Sequence, residues 1–374
     1  MTDQALHHEH TTDQAALYMS FELADKRWKL TFGDHRRSPS RYTIAAADTE
    51  AFLRCAGKAR ERFGIAASAP LHTCYEAGRD GWWLHRWLTA QGIHNIVVDA
   101  SSIEVSRRRR RAKSDGIDGD ALLERLMRYH GGEKKVWAVL HEPTPQQEDA
   151  RRPSRELSRL TREQTQHSNR IGALLVLHNL RGPGRVGGRA WNAWFEQQRA
   201  GVPPNLLQEI DRELARLALV REHIRALEAE QRRQHNPMVR QLSTLRAIAQ
   251  RGASVLVAEL FGWRHFANRR EVGACLGMTP TPYNSGDSHI EQGISKAGNK
   301  RARTLIVELA WRWLTLQPHS DLTAWFNRRF AHGGKRLRRI GIVALARRLA
   351  IDLWRFLEHG EIPAGASLKQ LRSA

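Results

Sequence analysis

The sequence predicts an α/β domain followed by helices. Three observations carry this: a strand–helix–strand alternation over roughly the first 140 residues, two long charged amphipathic stretches in the middle, and a glycine-interrupted helical pattern from Pro237 onward. Residues 18–32, YMSFELADKRWKLTF, set Tyr18, Phe21, Trp28, Leu30 and Phe32 around a polar turn, ELADKR, and predict a hairpin or two adjacent strands. RYTIAA, residues 41–46, is a candidate third strand, and an Asp-Thr cap signal opens a helix over Thr49–Phe63. LHTCYEA (71–77) reads as a short strand ending in an acid, residues 82–91 as a helix and HNIVVDA (94–100) as an apolar strand. Asp118–Arg128 follows as an amphipathic helix through Ala121, Leu122, Leu126 and Met127.

The middle changes character. Residues 155–180 carry Leu157, Leu160, Ile171 and Leu174 at three- and four-residue spacing, with Gln164 and His167 interrupting the seam. After the break RGPGRVGGR, residues 206–234 repeat Leu207, Ile210, Leu214, Leu217 and Ile224 as a heptad, with Arg221 in one seam position. Two charged helices around a loop predict a short antiparallel coiled-coil hairpin, the alternative being an ordinary helical connector. Beyond Pro237 the helical segments are punctuated by glycine, and the last, residues 339–360, is amphipathic with arginine on one flank. The predicted division is therefore 1–145, 150–236 and 237–374.

The chain has 374 residues, with 60 Lys and Arg against 39 Asp and Glu, a net charge of +21. Such an excess points to a polyanion as partner, most simply nucleic acid, although an anionic membrane surface also fits. No apolar run approaches the length of a transmembrane helix, and the polar beginning MTDQALHHEHTTDQ has no signal-peptide core. Cys55, Cys74 and Cys275 are odd in number and lack CxxC spacing, which suits a reducing cytoplasm and excludes a disulfide scaffold or zinc ribbon. The HHEH at 7–10 is capable of adventitious metal binding but reads as part of a frayed tail.

Four acids stand out: Glu22 in the first strand region, Glu76 at the end of a later one, and Asp115 and Asp118 in KSDGIDGDALLE. Each has an ordinary role open to it, as a surface residue, a turn residue or a helix cap. Brought together at strand ends, carboxylates suit a hard cation such as Mg²⁺ or Mn²⁺, and two such ions would activate a nucleophile and stabilise a leaving oxygen in phosphoryl transfer. Arg107, Arg108, Arg109, Arg110 and Arg111, with Lys113, run directly into Asp115 and are suited to hold phosphates beside those ions. Residues 279–303, TPTPYNSGDSHIEQGISKAGNKRAR, read as a glycine-rich loop leading into a helix. Ser285–Gly286 fall in a turn there, and Lys296, Asn299, Lys300, Arg301 and Arg303 form a phosphate cradle at the helix start. This is not a P-loop, because GxxxxGK[ST] is absent. Ser285 is a candidate nucleophile, although loop serines are mostly turn formers. IAQRGASVLVAEL has the pattern of a helix-hairpin-helix, and a packed helical pair has the same pattern. Trp191 and Trp194 are candidates to stack on bases, but tryptophans at i and i+3 are more often core.

Taken together, ELADKRW, CYEAGRDGWWL and KSDGIDGDA resemble the acidic blocks of the RuvC-like domain of IS110-family transposases. The run LRAIAQRGAS…VGACLGMTPTPYNSGDS…GISKAGNKRARTLIVELAW resembles that family's second domain. The resemblance covers nearly the whole chain. It implies a ribonuclease H-like (RuvC-like) domain, a coiled coil and a small helical domain, and a recombinase that inserts and excises its own mobile element. The family's Asp-Glu-Asp-Asp metal ligands map onto Glu22, Glu76, Asp115 and Asp118, and its nucleophilic serine onto Ser285. It also implies double-stranded DNA (element ends and target) and a structured non-coding RNA as partners. A homo-oligomer, dimer or tetramer, in the bacterial cytoplasm, nucleoid-associated when acting, is implied as well. Because Ser285 lies far along the chain from the acids, the implied active site is composite.

The sequence departs from the family pattern at Glu22, where aspartate is usual and the extra methylene carries the carboxylate outward. Asp25 is a possible substitute, but a three-residue offset along a strand turns it to the other face. Asp120 competes with Asp118, and AIAQRGAS lacks the glycine of the usual IPGIG hairpin. Two rival readings follow: a RuvC-like Mg²⁺-dependent nuclease or junction resolvase using water, with Ser285 structural, and a binding protein whose metal site Glu22 disables.

Overall fold

The computed structural model describes residues 15–103, 115–285 and 288–369. The His7–His10 cluster, Arg107–Arg111 and Lys113 lie outside the described residues. The chain divides into two compact units, Met1–Glu142 and Pro143–Ala374, so the charged helices and the C-terminal helical region share one unit.

The first unit is a five-stranded sheet in the order β3-β2-β1-β4-β5. Its strands are β1 (Leu17–Leu23), β2 (Arg27–Gly33), β3 (Ser40–Ala45), β4 (Leu71–Glu76) and β5 (His94–Val98). β1, β4 and β5 run parallel, and β2 and β3 fold back antiparallel as a meander. This mixed sheet, with helices on both faces, is compatible with a ribonuclease H-like fold.

Strand alternation decides which helix covers which face. Leu17, Met19, Phe21, Trp28, Leu30 and Phe32 are buried on one face. There they pack on Phe52, Ala59 and Phe63 of α1 (Thr49–Phe63) and on Leu84 and Leu88 of α2 (Trp83–Ala90). α1 starts as the Asp-Thr signal predicts: Asp48 caps the backbone N–H of Ala51 at 2.8 Å, and left-handed Gly64 ends the helix. The opposite face carries α3 (Asp115–His130), whose Leu122 and Leu126 pack against Cys74 and Val98. α3 begins at Asp115 rather than at Asp118, so Asp115 is a helical residue and not part of the approach.

In the second unit, α4 (Pro145–Asp149) leads into α5 (Arg152–Val176), α6 (Arg189–Gln198) and α7 (Pro204–Arg233). Leu157 and Leu160 cluster with Val220 and Ile224, whereas Ile171 and Leu175 cluster with Ile210 and Leu217, so α5 and α7 lie antiparallel. The polar interruption of the seam is a hydrogen-bonded contact, His167 Nδ1 to Glu213 at 2.6 Å. Burial pushes the Glu213 carboxyl up, but His167 and Arg216 outweigh it and hold the pKa below the usual range. Arg221 donates to the carbonyls of Val186 (2.6 Å) and Gly187 (3.2 Å), which pins the glycine-rich break. Trp191 and Phe195 stack at 4.9 Å and are buried, so α6 is a core element and Trp191 is not a base-stacking platform.

The remaining helices are α8 (Pro237–Ser243), α9 (Gln250–Leu256), α10 (Arg269–Cys275), α11 (Lys300–Leu316), α12 (Asp321–Phe326) and α13 (Lys335–His359). Their core is built on Leu256, Leu260, Ile306, Trp313, Leu349 and Leu353. Residues 280–294, read from the sequence as loop, form a hairpin instead: β6 (Pro280–Ser285) pairs antiparallel with β7 (Ser288–Ile294). A tail stitches this unit shut. Gln317 is 1% exposed; its side chain donates to the carbonyl of Ser367 at 2.9 Å and accepts from the Ser367 N–H at 2.7 Å. Lys369 N–H bonds the carbonyl of Thr244 at 2.7 Å. Among the described residues, no helix is long and apolar enough to cross a membrane.

Candidate metal and nucleic-acid site

The parallel register of β1 and β4 pairs Phe21 with Tyr75, which brings Glu22 and Glu76 level at adjacent strand ends. Both occupy the face that α3 covers, because Ser20 and Cys74, two residues before them, touch α3. The Ser20 hydroxyl donates to the Gly119 carbonyl at 2.8 Å, and the Cys74 thiol lies 4.0 Å from the Leu122 carbonyl. The first turn of α3 therefore runs past the two glutamates with its N-terminus, the positive end of its dipole, on their side. Asp115 and Asp118 lie in that turn. The strand ends that carry Glu22 and Glu76 and the helical turn that carries Asp115 and Asp118 thus lie at one end of the sheet.

Each of the two competing acids has an arginine partner, although Asp120 Oδ1 is buried without a hydrogen bond among the described residues. Asp120 is ion-paired to Arg41 on β3, and Asp25 sits in the β1–β2 turn, where Arg79 holds it at 2.8 Å. A close approach ties helix to site at Gly119, where a Cβ would stand 2.8 Å from Glu22 Oε1 and 2.7 Å from Thr31 Oγ1.

At the other end of the same face is a group that spacing alone does not reveal. His72 of β4 lies 4.0 Å, ring to ring, from His130 at the end of α3, and stacks with His94 of β5 at 5.2 Å. Burial, then the charges of His130 and His94, lower the His72 pKa to about 4. Burial, then Lys134 and His94, lower that of His130.

The second candidate region lies in the second unit. Ser285 closes β6 opposite Ser288, so its backbone stands at the hairpin end. The segment after β7 is laced to the end of α10. Lys296 N–H bonds the Gly277 carbonyl (3.0 Å), and Asn299 N–H bonds that of Cys275 (2.8 Å). Lys296 itself is left-handed at φ 57°, and Gly298, at φ 138°, has no room for a side chain, since a Cβ would meet the Cys275 carbonyl at 2.4 Å.

Asn299 caps α11. Its Oδ1 accepts from Arg301 and Ala302 N–H, and its Nδ2 donates to the Glu259 carbonyl and carboxylate at 2.9 and 3.0 Å. That uses the whole amide, so Asn299 holds the loop and has no donor left over for a phosphate. Arg303 likewise donates to the Leu276 carbonyl at 2.8 Å. Lys296, Lys300 and Arg301 are exposed, and Arg301 borders an arginine-rich depression of about 500 Å³ with Arg155, Arg159 and Arg162 of α5.

Glu259 anchors this region: it is 1% exposed and bidentate to Arg155 at 2.7 and 3.0 Å. Burial raises its pKa, but Arg155 and Asn299 more than compensate and keep it below the ordinary value. Nothing in the sequence pattern identifies Glu259. The acids belong to the first unit and Ser285 to the second.

Against known proteins, residues 239–323 match the family model described as "Transposase IS116/IS110/IS902 family". The chain is 39% identical over 386 residues to y4rJ of Sinorhizobium fredii, a protein carrying a transposase name, with 96% of each chain covered. It is also 25% identical over 257 residues to the transposase for insertion sequence element IS1328 of Yersinia enterocolitica, covering 67% of this chain and 73% of the relative. The near-complete span of the first relative and the matched stretch around Ser285 and Asn299 place the chain in a family of enzymes that cut and join DNA: it belongs to the IS116/IS110/IS902 transposases.

Proposed function

We propose that this transposase moves its insertion sequence by metal-assisted attack of Ser285 on a DNA phosphodiester, followed by strand exchange. The observation that carries the metal half is the level pairing of Glu22 with Glu76 beside the first turn of α3. With Asp115 and Asp118 in that turn, the donor set is all oxygen, which fits Mg²⁺ or Mn²⁺ and not a soft metal. These four residues would hold the ion, which supplies charge neutralisation at the scissile phosphate. The family pattern makes Asp118 the fourth member, with Asp120, whose Oδ2 pairs with Arg41, as its competitor.

In the step itself the Ser285 Oγ–P bond forms as the P–O bond to the leaving deoxyribose oxygen breaks. The hydroxyl proton is released and the leaving oxygen takes one up. The resulting phosphoserine diester conserves the bond for rejoining. Lys296, Lys300 and Arg301, with Arg107, Arg108, Arg109, Arg110, Arg111 and Lys113, hold nucleic-acid backbone, while Asn299 and Arg303 keep the loop in shape. The net charge of +21 and the family resemblance support element and target duplexes, a structured guide RNA and a homo-oligomeric assembly as partners.

Covalent capture tests this. The protein is incubated with Mg²⁺, DNA of the element ends and its flanking RNA, run on a denaturing gel, and the adduct is mapped by peptide mass. A DNA adduct on Ser285, absent from Ser285→Ala and from Glu76→Gln, is expected. Cut DNA without an adduct would instead identify water as the nucleophile.

A further inference from the structure

On the outer side of α13 a groove of about 1140 Å³ runs along the helix, walled on one side by the N-terminus of α10 and on the other by the base of the β6–β7 hairpin. The buried face of α13 uses Ile342, Leu345, Leu349 and Leu353, so the groove takes the opposite stripe, residues 336, 339, 340, 343, 347, 351 and 355. From Arg336 to Arg355 that stripe is about 29 Å long at 1.5 Å per residue.

Its chemistry alternates. Arg336, Arg339 and Arg347, facing Arg269 and Arg270 of α10, supply cations, and Ile340, Val343 and Ile351 supply an aliphatic floor. Among the described residues Asp352 is the one acid of the lining, and it lies 3.9 Å from Arg355. None of the five walling arginines is ion-paired among the described residues. The Nε of Arg347, buried against Gly273, has no acceptor there either. Trp325 closes the floor under Arg348, whose guanidinium lies 4.5 Å from the ring. Ile340 is 51% exposed and offers its aliphatic surface beside Arg336 and Arg339.

We infer that this groove binds an unpaired DNA strand, the one continuing from the bond at which Ser285 acts. A strand with free bases presents both surfaces that the groove offers: phosphates for the arginines, and base and sugar faces for the aliphatic floor and Trp325. A duplex keeps its base faces stacked inside and leaves the recessed aliphatic floor unfilled. The occupant is DNA because the groove's second wall, Thr281 and Gly293, is the base of the hairpin that Ser285 closes, about 13 Å along β6 at 3.3 Å per residue. This choice of strand rests on the serine mechanism proposed above, whereas the groove's preference for unpaired strands does not.

The test is fluorescence anisotropy on the full chain with labelled oligothymidylate, oligouridylate and an oligo(dA)·oligo(dT) duplex. Arg336→Ala/Arg339→Ala is expected to weaken oligothymidylate binding at least tenfold and to reduce its log–log salt slope by about 1.4 for two lost phosphate contacts. Ile340→Asp is expected to weaken it about fivefold, with duplex binding changed less than twofold in either variant. All three positions are solvent-exposed, so an unchanged melting temperature verifies the fold. Equal losses for strand and duplex, or none for either, overturn the proposal, as does tighter, groove-dependent binding of oligouridylate, which would make the occupant RNA. Ser285→Ala separates the two readings: if it still forms the adduct, the serine mechanism fails, while the anisotropy result stands or falls by itself.

Discussion

The backbone of Gly119 lies directly against the carboxylate of Glu22, so closely that a methyl group at 119 would stand 2.8 Å from Oε1. Gly119→Ala must therefore push Glu22 aside and also strain Thr31, whose β-branched side chain has little freedom to turn away. A loss of about 1–3 kcal/mol is expected in urea unfolding, together with weakened Mn²⁺ binding. Adding Thr31→Ala should restore part of the stability and none of the metal affinity. Unchanged Mn²⁺ affinity in Gly119→Ala would show that Glu22 is no ligand.

The Arg155–Glu259–Asn299 cluster is the structural anchor of the α11 loop. Glu259→Ala leaves Arg155 without its bidentate partner and Asn299 Nδ2 with one acceptor fewer, and about 3 kcal/mol should be lost. Asn299→Ala removes the cap and both bonds to Glu259 and should cost about 2 kcal/mol. The double variant should lose less than the sum, because the two residues share one network. Strict additivity in denaturant titrations would contradict the coupling.

Gly298 adopts φ 138°, where L side chains are strained, and a Cβ there overlaps the Cys275 carbonyl. Gly298→Ala is expected to lower stability by at least about 2 kcal/mol and to abolish adduct formation. Gly184→Ala is the control: it also has positive φ, but nothing lies within 4 Å of its Cβ position, and it should cost no more than about 1 kcal/mol.

The histidine cluster predicts acid sensitivity. In the folded chain the His72 pKa is lowered to about 4, from an ordinary value of 6.5, so the unfolded chain takes up this proton first as pH falls. Its contribution is intact above pH 6.5 and is lost progressively down to about 4. The loss is about 1–2 kcal/mol once partial exposure is allowed for, or several degrees of Tm. His72→Phe should flatten this part of the Tm–pH curve; an equally steep curve in that variant would assign the sensitivity to other groups.

The first unit was legible because its strands alternate. Leu17, Met19 and Phe21 face one layer and Ser20 and Glu22 the other, a pattern that reads directly as strand. The relation of Glu22 to Glu76 was not legible, because it depends on the register of β1 against β4, which no local spacing encodes. The β6–β7 hairpin escaped notice for the opposite reason. TPTPYNS and SHIEQGI hold few apolar residues, so two strands without an alternating apolar face have the composition of a loop. Asn299 stood in a basic, glycine-rich context suited to phosphate, yet its hydrogen bonds go to Glu259, forty residues away.

The bonds from Gln317 to Ser367 and from Lys369 to Thr244 bear on the order in which this protein is made. Until residues 363–369 clear the ribosome, the Gln317 amide lacks its Ser367 partner and the Thr244 carbonyl its Lys369 donor. These contacts are the last that the second unit can make as it is synthesised. A stop codon before codon 363 removes both contacts and should yield a product that proteolysis clears faster, which couples survival of the protein to translation through this short stretch.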